Sequence, residues 1–466
     1  MDTQSTQQVT TAAGEIGARL DRLPATRTVW KLVTLLSIGG FFEFYDLFLT
    51  GYVAPGLVAD KILTPTTPGL FGTSGVASFV AAFFAGLFVG TIALSFVADR
   101  MGRRAIFTFS LLWYSASTFI MAFQTDSFGV NLWRFIAGVG VGVELVTIDT
   151  YISELVPKHL RGRAFAFNQT VQFSVIPIVA FVAWLLVPTA PLGFSGWRWV
   201  VLLGSVGALV VWFIRRQVPE SPRWLAAHGR IAEADRIMSE LERRVQAESG
   251  APLPAPLPPE AQARRGSFAE IFKPPYASRT IMLVIFNVFQ TVGYYGFANW
   301  VPTLLISNGI QVTKSLEYTF IIAIAAPFGP LLGMLLADRV ERKWMIVSAA
   351  GVLAVAGLLF AQSVMPLVLI VLGIVLTLSS NVMSFSFHAY QTELYPTRIR
   401  AIAVGFVYSW SRLSVVFSAF VIAWFLGVSG TTGVFVFIAG SMLIVMLAIG
   451  AMGPAVRDRP LEAISH

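Results

Sequence analysis

The sequence predicts an all-α integral membrane protein with twelve transmembrane helices arranged as two six-helix halves. Three observations carry this: the composition, the recurrence of apolar runs, and the duplication of two loop motifs. The 466 residues are 56% hydrophobic and only 12% charged, with a mean hydropathy of +0.72. That balance is far more apolar than a soluble globular domain shows. Apolar runs of roughly twenty residues, the length a helix needs to cross a bilayer, alternate with short polar breaks. They lie near 32–57, 73–97, 105–124, 129–152, 164–187 and 197–216, then 279–307, 316–337, 344–362, 366–390, 401–427 and 431–452.

The duplication sets the halves. Asp99 in ADRMGRR recurs as Asp338 in ADRVERK, and Glu154, Pro157 and Arg161 in ELVPKHLR recur as Glu393, Pro396 and Arg400 in ELYPTRIR. All four share an offset of 239 residues. Such a repeat implies two bundles in the same orientation, with a substrate site near the midplane between them. The expected divisions are an N-terminal tail over 1–31, bundles over 32–216 and 279–452, a loop over 217–278 and a C-terminal tail over 453–466. Within the loop, Ile231, Ala234, Ile237, Leu241 and Val245 recur at helical spacing with charges between, an amphipathic pattern. The Pro-rich APLPAPLPPE that follows reads as extended and loose.

Charge gives the topology. Basic residues cluster after the even-numbered spans: Arg100, Arg103 and Arg104; Lys158, Arg161 and Arg163; Arg215, Arg216 and Arg223; Arg339, Arg342 and Lys343; Arg398 and Arg400. The positive-inside rule therefore places both termini in the cytoplasm of a multi-pass cytoplasmic-membrane protein and explains the net charge of +8 without nucleic acid. No cysteine is present, there are four histidines, and neither a nucleophile nor a metal-ligand motif appears, which argues against an enzyme and against a metal or other cofactor.

Taken in order, the first span carries Glu43 and Asp46 in GGFFEFYDLFLTGYVAPG. Three residues apart is about 300° of rotation, so the two acids share one face. An ionisable group near a bilayer centre costs at least about 2.5–3.5 kcal/mol, so such a face lines an ion or substrate path. The second span ends in Asp99, with Arg103 and Arg104 next to it. The fourth holds Arg134, Gly138, Gly140, Gly142, Glu144 and Asp149. Its glycines fail the dinucleotide pattern and read as close helix packing. Glu144 and Asp149 lie about 140° apart, so they face different surroundings, and each is either a proton carrier or a structural acid. The fifth span opens with Asn168, Gln169 and Gln172. The seventh places Asn287, Gln290 and Tyr294 at i, i+3 and i+7, one polar stripe. His388 in the tenth span is a candidate proton relay or structural group. Arg412 in the eleventh stays charged, so its counterpart is a carboxylate, from substrate or from an acid such as Asp46.

The DRMGRR loop, RFIAGVGVG, ELVPKHLRGR and PESPRWL together resemble the major facilitator superfamily, on its sugar-porter and organic-ion side. GYYGFANWVPTLLISNG and AYQTELYPTRIRA with SWSRL resemble its bacterial niacin and aromatic-acid carriers, and EFYD the acidic motif of its metabolite:proton symporters. The sugar-porter PETKG after the last helix is replaced here by GPAVRDRP. The resemblance implies alternating access in a monomer and ion pairs that close the cytoplasmic side, from Asp99, Arg103, Arg104, Glu154 and Arg161 with Asp338, Arg342, Glu393 and Arg400. It puts Gln169 where sugar porters hold a substrate-contacting Gln, His388 where they hold a Trp, and Arg412 where the anion carriers keep an Arg. The expected function is proton-coupled symport of a small organic anion, an aromatic monocarboxylate such as niacin. Arg412, Gln169, Gln172, Asn287, Gln290, Tyr294 and His388 are the substrate candidates, and Asp46, Glu43, Glu144 and Asp149 the proton candidates. An organic-cation or sugar carrier and a non-transporting receptor are the alternatives. The partners implied are small molecule, protons and lipid.

Overall fold

A computed structural model describes residues 3–70, 74–256, 267–337 and 339–456. Its regular structure in these residues is helical. Spans one to six comprise Arg27–Ala59, Gly75–Met101, Arg103–Met121, Ser127–Leu155, Arg161–Leu186 and the pair Gly196–Ser205 and Gly207–Gln217. Spans seven to ten comprise Tyr276–Ala298 with Val301–Ser307, Val312–Ala323 with Phe328–Ala337, Arg342–Gln362 and Pro366–Glu393. The last two run together as Thr397–Leu447 and separate at Gly430, whose φ of 62° no helix tolerates. Counting the fused helix once, ten of these are apolar and long enough to cross a membrane. The third span falls outside that set, since its helix opens on Arg103 and Arg104.

The second and third spans join through the single residue Gly102, at φ 94°. A Cβ there would sit 2.5 Å from a Glu220 carboxylate oxygen. That carboxylate accepts from the backbone N–H groups of Arg103 and Arg104 at 2.9 and 3.1 Å, serving the orphan donors of the third span's first turn. The PES segment is thereby tied to the first loop motif.

Glycine packing holds the second and fourth spans face to face. A Cβ on Gly138 or Gly142 would lie 2.2 Å from the carbonyl oxygens of Phe83 and Leu87, and one on Gly86 or Gly90 would lie 2.1 Å from those of Phe135 and Val139. Gly140 turns instead to Trp113 and Tyr114 of the third span. In the N-terminal half the first span packs on the fifth, and in the C-terminal half the seventh and ninth pack on the last helix. Between halves, the second span lies on the fused last helix and the fifth on the eighth. Large side chains such as Leu209, Trp212, Phe213 and Trp424 stay exposed on the outer faces, where lipid receives them.

Outside the bundle, Thr3–Asp21 is a helix that docks on Pro222–Ala227 and Ile231–Ser249. The latter buries Ala234, Met238, Leu241 and Val245. Met238 takes the place the sequence pattern gave Ile237, and Ile231 is exposed. Arg19 bonds Glu242 at 2.7 Å, and Arg22 bonds the same carboxylate at 2.6 Å. Asp21 accepts from Arg223 at 2.7 Å and from the Lys158 N–H at 2.8 Å.

Candidate functional site

The two acids of the first span part company. Asp46, 1% exposed, is 3.0 Å from the guanidinium of Arg134, itself fully buried, and accepts a 2.8 Å bond from Thr118. Arg134 also reaches the Asp46 carbonyl and Thr50, and lies 4.0 Å above the Phe83 ring. The alternative in which Arg412 neutralises Asp46 is therefore corrected: the countercharge comes from the fourth span of the same half. Glu43 turns elsewhere and is fully buried without a hydrogen-bond partner on either oxygen, as is Glu144. A Cβ on Gly39, one turn before Glu43, would be 3.6 Å from the Glu144 carboxylate. Glu43 lies in the fields of Glu144 and Asp149 on the fourth span and of Arg412 on the eleventh. Asp149 is exposed although it sits within a membrane span, so Glu144 and Asp149 occupy different surroundings.

Arg412, 4% exposed, donates to the Tyr295 hydroxyl at 3.0 Å and to that of Tyr408 at 2.9 Å, and stands 4.8 Å over the Tyr408 ring. It forms no ion pair among the described residues. His388 bonds its own helix at Ser384 O, 2.7 Å away, and its ring is 5.5 Å from Tyr408. Tyr294 is half-buried and packs against Tyr295 with ring centroids 4.9 Å apart. Both Tyr294 and His388 lie in the field of Arg412. A cavity between the halves is lined by Phe48, Tyr52, Ile176, Tyr294, Thr319 and Asn381, among others.

The amides are less united. Gln172 is pressed against the first span, 2.6 Å from where a Gly40 Cβ would be, and Gln169 is half-buried. Gln290 is buried, while Asn287 spends its amide on the Leu283 carbonyl at 2.8 Å. Tyr295, Tyr408 and the pairing of Arg134 with Asp46 were not singled out by sequence. Tyr295 follows Tyr294 directly, and Tyr408 precedes Arg412 by one helical turn, the spacing that brings side chains together.

At the loop motifs, Arg103 pairs with Glu154 at 3.1 Å and Arg342 with Glu393 at 2.7 Å. Arg161 donates to the Val156 carbonyl at 3.3 Å and Arg400 to the Tyr395 carbonyl at 3.2 Å. Each contact is the other's copy 239 positions on, and each lies within one half, joining adjacent helices instead of bridging the halves. Arg104 contributes its backbone N–H to Glu220. Asp338 lies outside the described residues, as does the side chain of Asp99. Away from the motifs the halves touch directly. Gly51 leaves no room for a Cβ beside the Asn299 backbone, Trp184 stacks on Phe320 at 5.7 Å, and Phe84 meets Tyr295 at 4.9 Å.

Two helical halves around a buried arginine, with buried acids on the facing helices, define a membrane transporter of the major facilitator type. The chain belongs to the sugar (and other) transporter family, whose profile matches residues 32–466. It is 33% identical over 457 residues to the putative metabolite transport protein YyaJ of Bacillus subtilis, covering 97% of this chain and 98% of that one. It is 28% identical to the niacin transporter NiaP of Acinetobacter baylyi, covering 97% and 99%. In fold it matches the inward-open xylose transporter XylE from E. coli with a TM-score of 0.72 at 19% identity, covering 94% and 99%.

Proposed function

We propose that the protein is a proton-coupled symporter of a small organic anion, an aromatic monocarboxylate such as niacin, working by alternating access in the cytoplasmic membrane with both termini in the cytoplasm. The observation that carries the anion reading is Arg412: a buried guanidinium between the halves, held by two tyrosine hydroxyls and unmatched by any carboxylate among the described residues. Leaving such a charge unpaired is costly, and a planar carboxylate is its geometric complement. Tyr294, Tyr295, Tyr408 and His388 supply the aromatic surroundings that a ring-bearing acid fits. Resemblance to the niacin carrier, and to a benzoate transport protein of Acinetobacter baylyi at 24% identity, supports the same class.

Closure opposite the loop motifs, with Asp149 exposed on the motif side, suits a conformation open to the cytoplasm. The ion pairs Arg103–Glu154 and Arg342–Glu393 stiffen each half as it rocks. Asp46 is the proton carrier in this reading: protonation removes its hold on Arg134 and frees the first span to move against the fourth. The test is uptake of labelled nicotinate and benzoate into proteoliposomes. Wild type accumulates at least one of them and Arg412→Ala does not; equal uptake by both proteins, or competition by sugars or amines in place of carboxylates, overturns the anion assignment.

A further inference from the structure

Beyond Asp46 and Arg134, we infer that Glu43 and Glu144 form a second proton-binding site, linked to the anion site through Arg412. The geometry is specific. Both carboxyl groups are fully buried, on the first and fourth spans; the oxygens of Glu43 have no hydrogen-bond partner, and near Glu144 the Ser110 hydroxyl is engaged with the Phe107 carbonyl at 3.2 Å. Ser110 and Tyr114 on the third span, Asp149 on the fourth, Gln172 of the fifth beside Gly40, and Arg412 and Tyr408 on the eleventh surround them. Arg412 is the one cation among them. The Tyr114 hydroxyl is likewise buried and unbonded.

Two ionised carboxylates cannot be kept in such a place, because burying an unpaired charge costs far more than any packing gain returns. One proton on the pair removes one of the two charges and supplies a donor, leaving a single negative charge in the field of Arg412. Asp46 is the contrast within the same helix, since Arg134 and Thr118 satisfy it as an anion. The link to transport is electrostatic and reciprocal. A substrate carboxylate seated on Arg412 cancels the positive charge that favours ionised Glu43, so anion binding strengthens proton binding at the pair and protons strengthen anion binding to the same degree. Asp149, exposed and within Glu43's field, lies between the pair and the loop motif along the fourth span. The site's existence is independent of the proposed substrate; only the linkage rests on Arg412 being the anion site.

Infrared spectroscopy of the full-length protein in lipid nanodiscs, without substrate, tests the site. Wild type at neutral pH shows the carbonyl stretch of a protonated, buried carboxylic acid, and Glu43→Gln and Glu144→Gln each diminish it while Asp46→Asn leaves it. Absence of that band in wild type, or its survival in both Gln variants, overturns the site. The linkage is read by adding benzoate or nicotinate to weakly buffered protein: binding draws protons from solution in wild type, and fewer in Glu144→Gln. Binding without proton uptake overturns the linkage. No binding of either acid sinks the substrate reading and leaves the infrared result standing.

Discussion

Removing the charge of Asp46 while keeping its shape isolates what the Arg134 pair does. At 3.0 Å two unit charges attract by about 5–6 kcal/mol at an effective dielectric near 20, and both partners here are shielded from solvent. Asp46→Asn leaves Arg134 as a buried cation still bonded to Thr50 and to the residue 46 carbonyl, and breaking one side of such a pair costs about 3–5 kcal/mol. Arg134→Gln incurs a comparable loss by stranding the carboxylate. The double variant strands neither and regains most of the loss. Unfolding of the four proteins in mixed micelles, titrated with denaturing detergent, gives the cycle. Simple addition of the two single losses would show that the ion pair does not couple these residues and would refute the reasoning. The same Asn variant should retain substrate exchange across proteoliposomes yet lose accumulation driven by a pH gradient; intact accumulation removes Asp46 from the coupling mechanism.

Further outcomes follow from other parts of the structure. Arg412→Lys keeps the charge but loses the two-armed grip on Tyr295 and Tyr408, so carboxylate affinity should fall by about tenfold or more, measured by competition binding. Gly138→Ala drives a methyl into the Phe83 carbonyl and should cost about 1–3 kcal/mol, whereas Gly405→Ala, with nothing within 4 Å, should be neutral or stabilising; melting curves of the two variants distinguish them. Burial alone would push Glu242 upward, but its bonds to Arg19 and Arg22 hold it below its ordinary value of 4.5. A depressed carboxylate stabilises docking above that ordinary value and loses its contribution as pH falls through the lowered one. The helix Thr3–Asp21 should therefore resist proteolysis at neutral pH and become cleavable in strong acid, a transition that Glu242→Gln abolishes by loosening the helix at every pH.

Local regularity explains what the sequence disclosed. The 239-residue offset announced the two bundles, and Arg103–Glu154 and Arg342–Glu393 turn out as copies of one contact because the same helix ends meet in each half. Hydropathy marked the spans, and the break before residue 431 falls at Gly430. Periodicity tells which face a residue occupies but not which helix lies opposite. Asp46 and Arg134 are 88 positions apart, and nothing along the chain says that the first span's acid points to the fourth. Glu43, on the same nominal face, diverges because three residues still leave about 60° between side chains. Arg412 stood out by its charge, and its two tyrosines did not.

The glycine contacts between the second and fourth spans bear on how the two halves communicate. Backbones that meet with no side chain between them cannot slide without collision, so these helices form a single plate. The fourth span of that plate carries Arg134 and Glu144, and the second rests on the helix of Arg412. In the proposed rocking of the halves, the second and fourth spans would therefore move together against the helix of Arg412, with no flexible relay between them.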